Sequence, residues 1–199
     1  SVNGNGLQVF GTVQKNPVAT GADLVKYGGW STSNYLEQPN PDMDFGTGDF
    51  CFNFWTHKVP QSGGYFAWQV DHSVGSTQWG VDGIGLYAFV GGSVKLYQNT
   101  AGNNIGFALH TFQRRSGVLE YYVNGTLAGT ANSTENLTGS SRFRVGKAGS
   151  AYNRDIALLR VSATALSPEQ IAKIYEDEKH LFQENAQATL YGSSDAVTA

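Results

Sequence analysis

The clearest pattern of polar and apolar positions lies in residues 42–55. A glycine-rich turn there precedes a segment in which Phe50, Phe52 and Phe54 alternate with smaller side chains. Because successive side chains of a strand point to opposite faces, the three phenylalanines predict a strand with one strongly apolar face. Such a face needs a large apolar surface opposite it, so we expect a central strand of a two-sheet β-sandwich.

Alternating segments and turn signals recur along most of the chain. Residues 65–71 and 83–90 alternate, and the polar stretch 72–82 between them is predicted as a long loop. Gly91-Gly92 and Asn124-Gly125 are two-residue hairpin signals. The pattern predicts an all-β fold of about a dozen strands, an antiparallel β-sandwich of the jelly-roll type.

A single convincing helix signal lies near the C-terminal end. Ser167 and Gln170 have the spacing of a capping box, and Pro168 suits the first helical position. From Ile171 onward, apolar residues recur three and four positions apart, which is typical of a helix with one buried face. We predict one C-terminal helix that starts after Ser167 and runs to about Phe182.

Composition and charge exclude several classes of protein. The 25 glycines and a charged fraction of only 15% suit many short strands joined by tight turns. A net charge of −3 argues against a nucleic-acid partner or an anionic membrane surface. No apolar run approaches the roughly 18–20 residues of a membrane span. Cys51 is the one cysteine, so no disulfide within the chain is possible, and we interpret it as a small buried residue.

Four segments in a fixed order resemble the concanavalin A-like, laminin-G-like jelly-roll domains. They are residues 44–50, 121–125, 143–146 and 157–171. A closer resemblance is to laminin-G-like domains of tailed-bacteriophage tail or fibre proteins, on residues 44–50 and 169–178 with flanking segments 7–12 and 185–192.

The resemblance implies a module of a longer virion protein, located in the extracellular particle. Residues 1–22 are then an N-terminal approach segment, 23–180 the jelly roll, and 181–199 a linker to a following region. Many members of the family carry an acidic residue before the terminal helix that helps to hold calcium, but Ala157 occupies that position here. Asp155 lies on the same strand face, so a structural calcium ion has weak support and no cofactor is expected.

Glycosidases share this architecture, but their catalytic pattern is missing from the sequence. They need two carboxylates about 5–9.5 Å apart, one of them with a raised pKa. Asp42 and Asp44 lie in a turn, where aspartate caps backbone amides, and Glu120 is a single acid in its strand. The four histidines show no zinc-type spacing. We therefore predict that the protein is not an enzyme.

The strongest candidate binding surface is the predicted loop after residue 71, which combines carboxylates, an amide and an indole. Sugar sites use aromatic faces together with planar polar side chains, and rigid sandwiches usually carry such sites on loops. The candidate ligand-binding residues are Asp71, His72, Gln78, Trp79, Asp82 and Trp30. The alternative is structural: Trp79 packs the loop onto the sheet, and Trp30 belongs to the core.

Two functional hypotheses stay open. The first is a non-catalytic module of a phage tail or fibre, in contact with other virion proteins or domains of the same chain and with host-surface glycan. The second is a carbohydrate-binding module of a secreted bacterial protein. A polysaccharide depolymerase is a third interpretation, which the missing carboxylate pair disfavours.

Overall fold

A computed structural model describes residues 6–39, 41–57, 65–81, 85–99, 106–148, 150–151 and 154–187. In chain order the elements are β1 (Gln8–Phe10), β2 (Gln14–Pro17), β3 (Val25–Gly28), β4 (Tyr35–Pro39), β5 (Phe50–His57), β6 (Tyr65–His72), β7 (Gly75–Val81), β8 (Gly85–Val90), β9 (Ser93–Asn99), β10 (Phe107–Arg115), β11 (Val118–Val123), β12 (Thr126–Asn132), β13 (Arg142–Val145), β14 (Lys147–Ala148), β15 (Ser150–Ala151), β16 (Ile156–Ser162), α1 (Pro168–Glu178) and a 3₁₀ helix (Lys179–Phe182).

Two antiparallel sheets of seven strands each form a β-sandwich, which confirms the predicted fold class. Sheet A has the spatial order β1-β4-β13-β6-β7-β8-β9, and sheet B has the order β12-β11-β10-β5-β16-β3-β2. Strand β5 is the fourth of the seven strands of sheet B, so the prediction of a central strand is also confirmed.

The core between the sheets is aromatic, as the alternation in β5 predicts. Phe50, Phe52 and Phe54 are each 0% exposed. Sheet A supplies the facing surface: Trp68 stacks on Phe52 with ring centroids 3.8 Å apart, and Trp79 meets Phe54 edge-on at 4.7 Å. Burial of large aromatic side chains on both sheets supplies much of the hydrophobic stabilisation of the fold.

A buried arginine fixes the turn that precedes β5. Arg114 is 0% exposed and donates to the carbonyl oxygens of Gly48, Glu135 and Gly46, each at 2.7 Å. Its guanidinium also lies over the ring of Phe50, 5.3 Å from the centroid. Burial lowers the pKa of this group, and three carbonyl acceptors compensate for the lost hydration. A side chain of sheet B therefore fixes the turn at Gly46 and Gly48.

The predicted helix is confirmed, and it packs on the outer surface of sheet B. The Ser167 hydroxyl accepts from the Gln170 amide, and Gln170 in turn accepts from the Ser167 amide, which completes the capping box. Ile171 is 0% exposed beneath the helix, and the ring of Phe182 stacks on Trp55 at 4.2 Å. These contacts explain why the outer surface of sheet B carries buried residues.

We call the outer surface of sheet B beneath α1 and residues 163–167 the covered face. Cys51 lies there, 2% exposed, and burial raises the pKa of its thiol to about 12, so the prediction of a small buried residue is confirmed. Beside it, the Gln113 amide nitrogen donates to Glu120 at 2.8 Å and to the carbonyl of Leu166 at 2.9 Å. Tyr122 also donates to Glu120, at 3.0 Å.

The predicted approach segment, 1–22, contributes an edge strand to each sheet. Strand β1 pairs with β4, and β2 pairs with β3. Val18 and Ala22 are each 7% exposed and join the apolar cluster near Trp55. Among the helices of the described ranges, none has the length and apolar character needed to cross a membrane.

Candidate functional site

The predicted loop 72–82 is instead a tight hairpin between β6 and β7. Asp71 pairs with Ser76 and His72 with Gly75, which leaves only Ser73 and Val74 in the turn. The prediction of a long loop is wrong because its polar residues are strand residues whose side chains alternate between the two faces of sheet A. The candidate residues therefore point to one face of sheet A or the other according to their position in the strand, and they do not cluster at the tip of a loop.

The hairpin separates the predicted site residues into two groups. Asp71 and Gln78 lie on the outer surface of sheet A. His72, 8% exposed, and Trp79, 1% exposed, point into the sandwich, so the indole of Trp79 offers no face to a ligand at the surface. Trp30 is also buried, and its indole nitrogen donates to the carbonyl of Arg154 at 2.8 Å. Asp82 lies outside the described residues.

The outer surface of sheet A carries a continuous row of side chains across all seven strands, at positions paired in register. The row runs Gln8, Glu37, Arg144, Gln69, Gln78, Phe89, Val94. A second row beside it pairs Arg142, Asp71 and Ser76. We call the part of the row from Glu37 to Phe89, together with Arg142 and Asp71 of the second row, the open face; α1 packs on the opposite sheet. At a strand spacing of about 4.8 Å, this part of the row is about 19 Å long.

Ion pairs hold the charged side chains of the open face in place. Arg142 donates to one oxygen of Asp71 from Nε at 2.9 Å and from Nη2 at 2.5 Å, and Gln69 donates to the other oxygen. Arg144 donates from Nε to Glu37 at 2.7 Å. Both carboxylates therefore have a guanidinium partner, and the planar groups are oriented before any ligand arrives.

Gln78 differs from its neighbours because its amide has no hydrogen-bond partner within the described part of the chain. It lies between Gln69 on one side and Phe89 on the other. The ring of Phe89 meets that of Phe66 edge-on, with centroids 5.5 Å apart. An amide with free donors and acceptors beside a half-buried aromatic pair is a suitable contact for a polyhydroxylated ring.

The far end of the open face carries a second aromatic group. Phe10 and Tyr35 stack with centroids 4.7 Å apart, and the ammonium of Lys147 lies over the Tyr35 ring at 4.2 Å. Arg144 reaches the same ring at 5.9 Å. The paired polar groups thus lie between two aromatic patches.

Sequence reasoning missed most of the open face. Gln69, Arg142, Arg144 and Glu37 were not candidates, although their place between buried residues in alternating strands was a usable signal. Alternation in residues 65–71 predicts Phe66 on the same face as Trp68, which is wrong because a bulge between Phe66 and Trp68 reverses the pattern. Ala67 and Trp68 both belong to the core cluster, and Phe66 turns outward.

His72 lies directly under the open face and has an unusual environment. Neither ring nitrogen has a hydrogen-bond partner among the described residues, and Phe45 packs at 6.2 Å. Burial lowers the pKa of His72, an effect that Asp44 and Asp71 oppose and Arg114 reinforces. A neutral imidazole is therefore the form that suits this position.

The described residues contain no group of three or more histidine, cysteine, aspartate or glutamate side chains placed to hold a metal ion. Asp155, the possible substitute for the calcium ligand of the family, forms an ion pair with Lys26 at 2.8 Å. Calcium binding at this position would have to compete with that ion pair.

Comparisons with known proteins identify the fold and no sequence family. No protein-family profile matches the chain, and no curated protein is similar in sequence. Among solved structures, the binding domain of botulinum neurotoxin serotype G aligns with a TM-score of 0.68 at 14% identity, over 88% of this chain and 47% of that one. The receptor-binding domain of the C/D mosaic serotype aligns with a TM-score of 0.69 at 15% identity, over 87% and 46%.

A third similar structure is the binding domain of botulinum neurotoxin DC in complex with SialylT, with a TM-score of 0.62 and 16% identity over 86% of this chain and 46% of that one. The chain spans about half the length of the structures that it matches. These likenesses show a jelly-roll-like β-sandwich fold. They do not show a phage origin.

Proposed function

We propose that this domain is a non-catalytic glycan-binding module whose site is the open face of sheet A. The observation that carries the proposal is the row of oriented planar side chains between two aromatic patches. Amide, guanidinium and carboxylate groups match the donors and acceptors of sugar hydroxyls, and aromatic rings pack on the apolar faces of pyranoses. The length of the row suits an oligosaccharide better than a single sugar.

Asp71 and Gln78 keep their proposed role as ligand-binding residues, and Gln69, Arg142 and Arg144 join them. The structurally similar botulinum neurotoxin DC domain binds the glycan sialyl-T, which supports a binding function for this chain by analogy of fold. The analogy does not locate the site, because only about half of that protein corresponds to this chain.

The arrangement of acids supports the absence of catalysis. A glycosidase needs a carboxylic acid whose pKa is raised, so that it is protonated at working pH. On the open face, Glu37 pairs with Arg144 and Asp71 with Arg142, so each carboxylate already has a guanidinium partner. Held by these ion pairs, the two carboxylates are placed to accept hydrogen bonds from sugar hydroxyls.

A glycan array tests the binding function. Bacterial surface oligosaccharides and sialylated glycans would be presented together, and we expect saturable binding to at least one class, unaffected by EDTA. Absence of binding to every oligosaccharide class, with a protein that melts cooperatively, would contradict the proposal. A measured release of reducing ends from a bound glycan would contradict the non-catalytic assignment.

A finer proposal concerns the biological setting: the domain is a module of a tailed-phage tail or fibre protein, located in the virion and in contact with other virion components and host-surface glycan. It rests on the sequence resemblance of residues 44–50 and 169–178. The alternative is a carbohydrate-binding module of a secreted bacterial protein. Mass spectrometry of purified virions distinguishes the two alternatives. A virion module would be detected in the particles, and a module of a secreted bacterial protein would be absent from them.

A further inference from the structure

A cavity of about 530 Å³ lies between the two sheets on the side of β3 and β4. Leu36 and Phe143 of sheet A and Ile156 and Leu159 of sheet B are among its lining residues. Tyr27, 39% exposed, also lines it, so the cavity reaches the surface. Its volume falls within the range of about 300–1,000 Å³ that small-molecule sites occupy.

The cavity has a local cause in the backbone of β16. The register against β5 shifts between Ala157 and Arg160, and Leu158 at the bulge has a φ of 49°. Positive φ is strained for a bulky side chain such as leucine. Beyond the bulge, β3 and β16 separate: Ile156 with Tyr27 is the register pair between them within the described residues. The cavity extends into the gap between these two strands, and residues of both strands line it.

One amide side chain lines this largely apolar space. Gln38 faces inward from β4, is 9% exposed, and lines the cavity. Its side chain has no hydrogen-bond partner in the part of the chain that the structure describes. Because the amide lines the cavity and has both donors and an acceptor, a bound polar group can form hydrogen bonds with it. By contrast, the indole nitrogen of Trp30, at the same cavity, already donates to Arg154.

The chemistry of the lining restricts the ligand. Among the described residues that line the cavity, none is charged. A carboxylate or ammonium group placed there would be desolvated without an opposite charge. An uncharged group such as a hydroxyl can both donate to and accept from the amide of Gln38.

We infer that this cavity is a second binding site, separate from the open face, for an uncharged amphiphile: an alkyl chain or similar apolar body with a hydroxyl, ester or amide head group on Gln38. The apolar body fills the gap that the Leu158 bulge opens. The site is independent of the proposed glycan binding, because Gln38 faces inward from β4 while Glu37 faces outward.

A fluorescence displacement experiment tests the inference on the whole chain. N-phenyl-1-naphthylamine serves as the reporter, with 1-decanol and decanoate as competitors at neutral pH. We expect saturable binding of one reporter molecule per chain and displacement by 1-decanol. Decanoate should be at least about tenfold weaker, because its charge has no partner in the cavity. Absence of saturable reporter binding, or equal potency of the two competitors, would overturn the inference.

Two variants locate the site. Leu36→Trp fills the cavity and should abolish reporter binding; a folded variant that still binds the reporter contradicts the proposal. Because overpacking can also destabilise the core, Gln38→Leu provides an independent test. It should keep reporter binding and weaken 1-decanol by about fivefold, the factor expected for one neutral hydrogen bond. The matched control, Gln183→Leu at an exposed position outside both sites, should leave reporter binding and 1-decanol affinity unchanged. Equal effects of the two leucine variants would refute the role of Gln38.

Discussion

The outer surfaces of the two sheets contain similar polar side chains and use them differently. On the covered face, Gln113 forms hydrogen bonds with Glu120 and with the backbone at Leu166. On the open face, Gln69 and Gln78 occupy equivalent outward positions, and Gln78 has no partner in the described ranges. The difference arises from α1 and the segment before it, which lie on only one of the two sheets.

This comparison shows that a polar residue on a strand does not indicate function by its type alone. Hydrogen bonds from Arg115, Gln113 and Tyr122 outweigh the opposing effect of burial and lower the pKa of Glu120, so its charge is used to hold the covered face together. The polar row of the open face is oriented by two arginines and remains partly accessible, with the side chains of Glu37 and Asp71 exposed by 17% and 21%. Accessibility with fixed orientation is what a binding surface requires.

Weakening the packing of α1 on sheet B should have the largest effect on stability. Ile171→Ala deletes a fully buried side chain from the helix that lies on sheet B. We expect the free energy of unfolding to fall by about 3 kcal/mol, as for other large-to-small core substitutions. Urea denaturation measures it, with the exposed Lys173→Ala as the control, which should change stability by less than about 0.5 kcal/mol. Equal effects of the two variants would contradict the assigned packing of α1.

A matched pair of glutamates compares the two faces directly. Glu120→Ala leaves Gln113, Tyr122 and Arg115 without their shared acceptor, and we expect a loss of about 2 kcal/mol in unfolding free energy. Glu37→Ala on the open face breaks one half-buried ion pair with Arg144 and should cost about 0.5 kcal/mol.

The two substitutions should affect glycan affinity in the opposite order to their effects on stability. Using an oligosaccharide selected on the array, Glu37→Ala should weaken binding and Glu120→Ala should not. The comparison of the two faces would be wrong if Glu120→Ala reduced affinity more than Glu37→Ala in proteins that are both folded.

A smaller effect is expected from the free amide of the open face. Gln78→Ala removes one neutral hydrogen-bonding group and should weaken binding of the same oligosaccharide about fivefold, with little change in stability. Isothermal titration calorimetry measures the affinity. Gln183→Ala, an exposed glutamine on the C-terminal segment, is the matched control and should bind as the unmodified protein does.

The smallest effect concerns His72 on the inner side of sheet A. Because burial lowers its pKa in the folded state, the unfolded chain binds the proton more readily. The contribution of the neutral imidazole to stability is present above its ordinary pKa of 6.5 and is lost as the pH falls through the lower value of the folded state.

The His72→Phe variant should therefore lose less stability than the unmodified protein on going from about pH 7.5 to about pH 5. Urea midpoints at the two pH values measure the difference. The exposed Gln183→Phe, which removes no titrating group, serves as the control and should keep the pH dependence of the unmodified protein. An unchanged dependence in His72→Phe would contradict the assigned environment.

Alternation and capping residues were sufficient to predict the framework. Phe50, Phe52 and Phe54 predicted the central strand, and Ser167 with Gln170 predicted the start of α1, because both signals depend on local geometry. The candidate site was harder. Asp71 and Gln78 were identified, but His72 and Trp79 were grouped with them because a loop was assumed where a two-residue turn exists.

Bulges limited the prediction further. One extra residue near Ala67 turns Phe66 outward, and another at Leu158 opens the cavity beside Gln38. Neither bulge has a glycine at the shifted position, so the sequence gives no local sign of the change. Both depend on how neighbouring strands pack, which only tertiary structure determines.

The central claim is that glycan binds to the open face, and nuclear magnetic resonance tests it most directly. In a ¹⁵N-labelled sample titrated with the array-selected oligosaccharide, we expect the largest shifts in the side-chain signals of Gln69, Gln78, Arg142 and Arg144. The signals of Gln113 on the covered face should remain unchanged. Large shifts at Gln113 or along α1, with none at Gln69 and Gln78, would contradict the account.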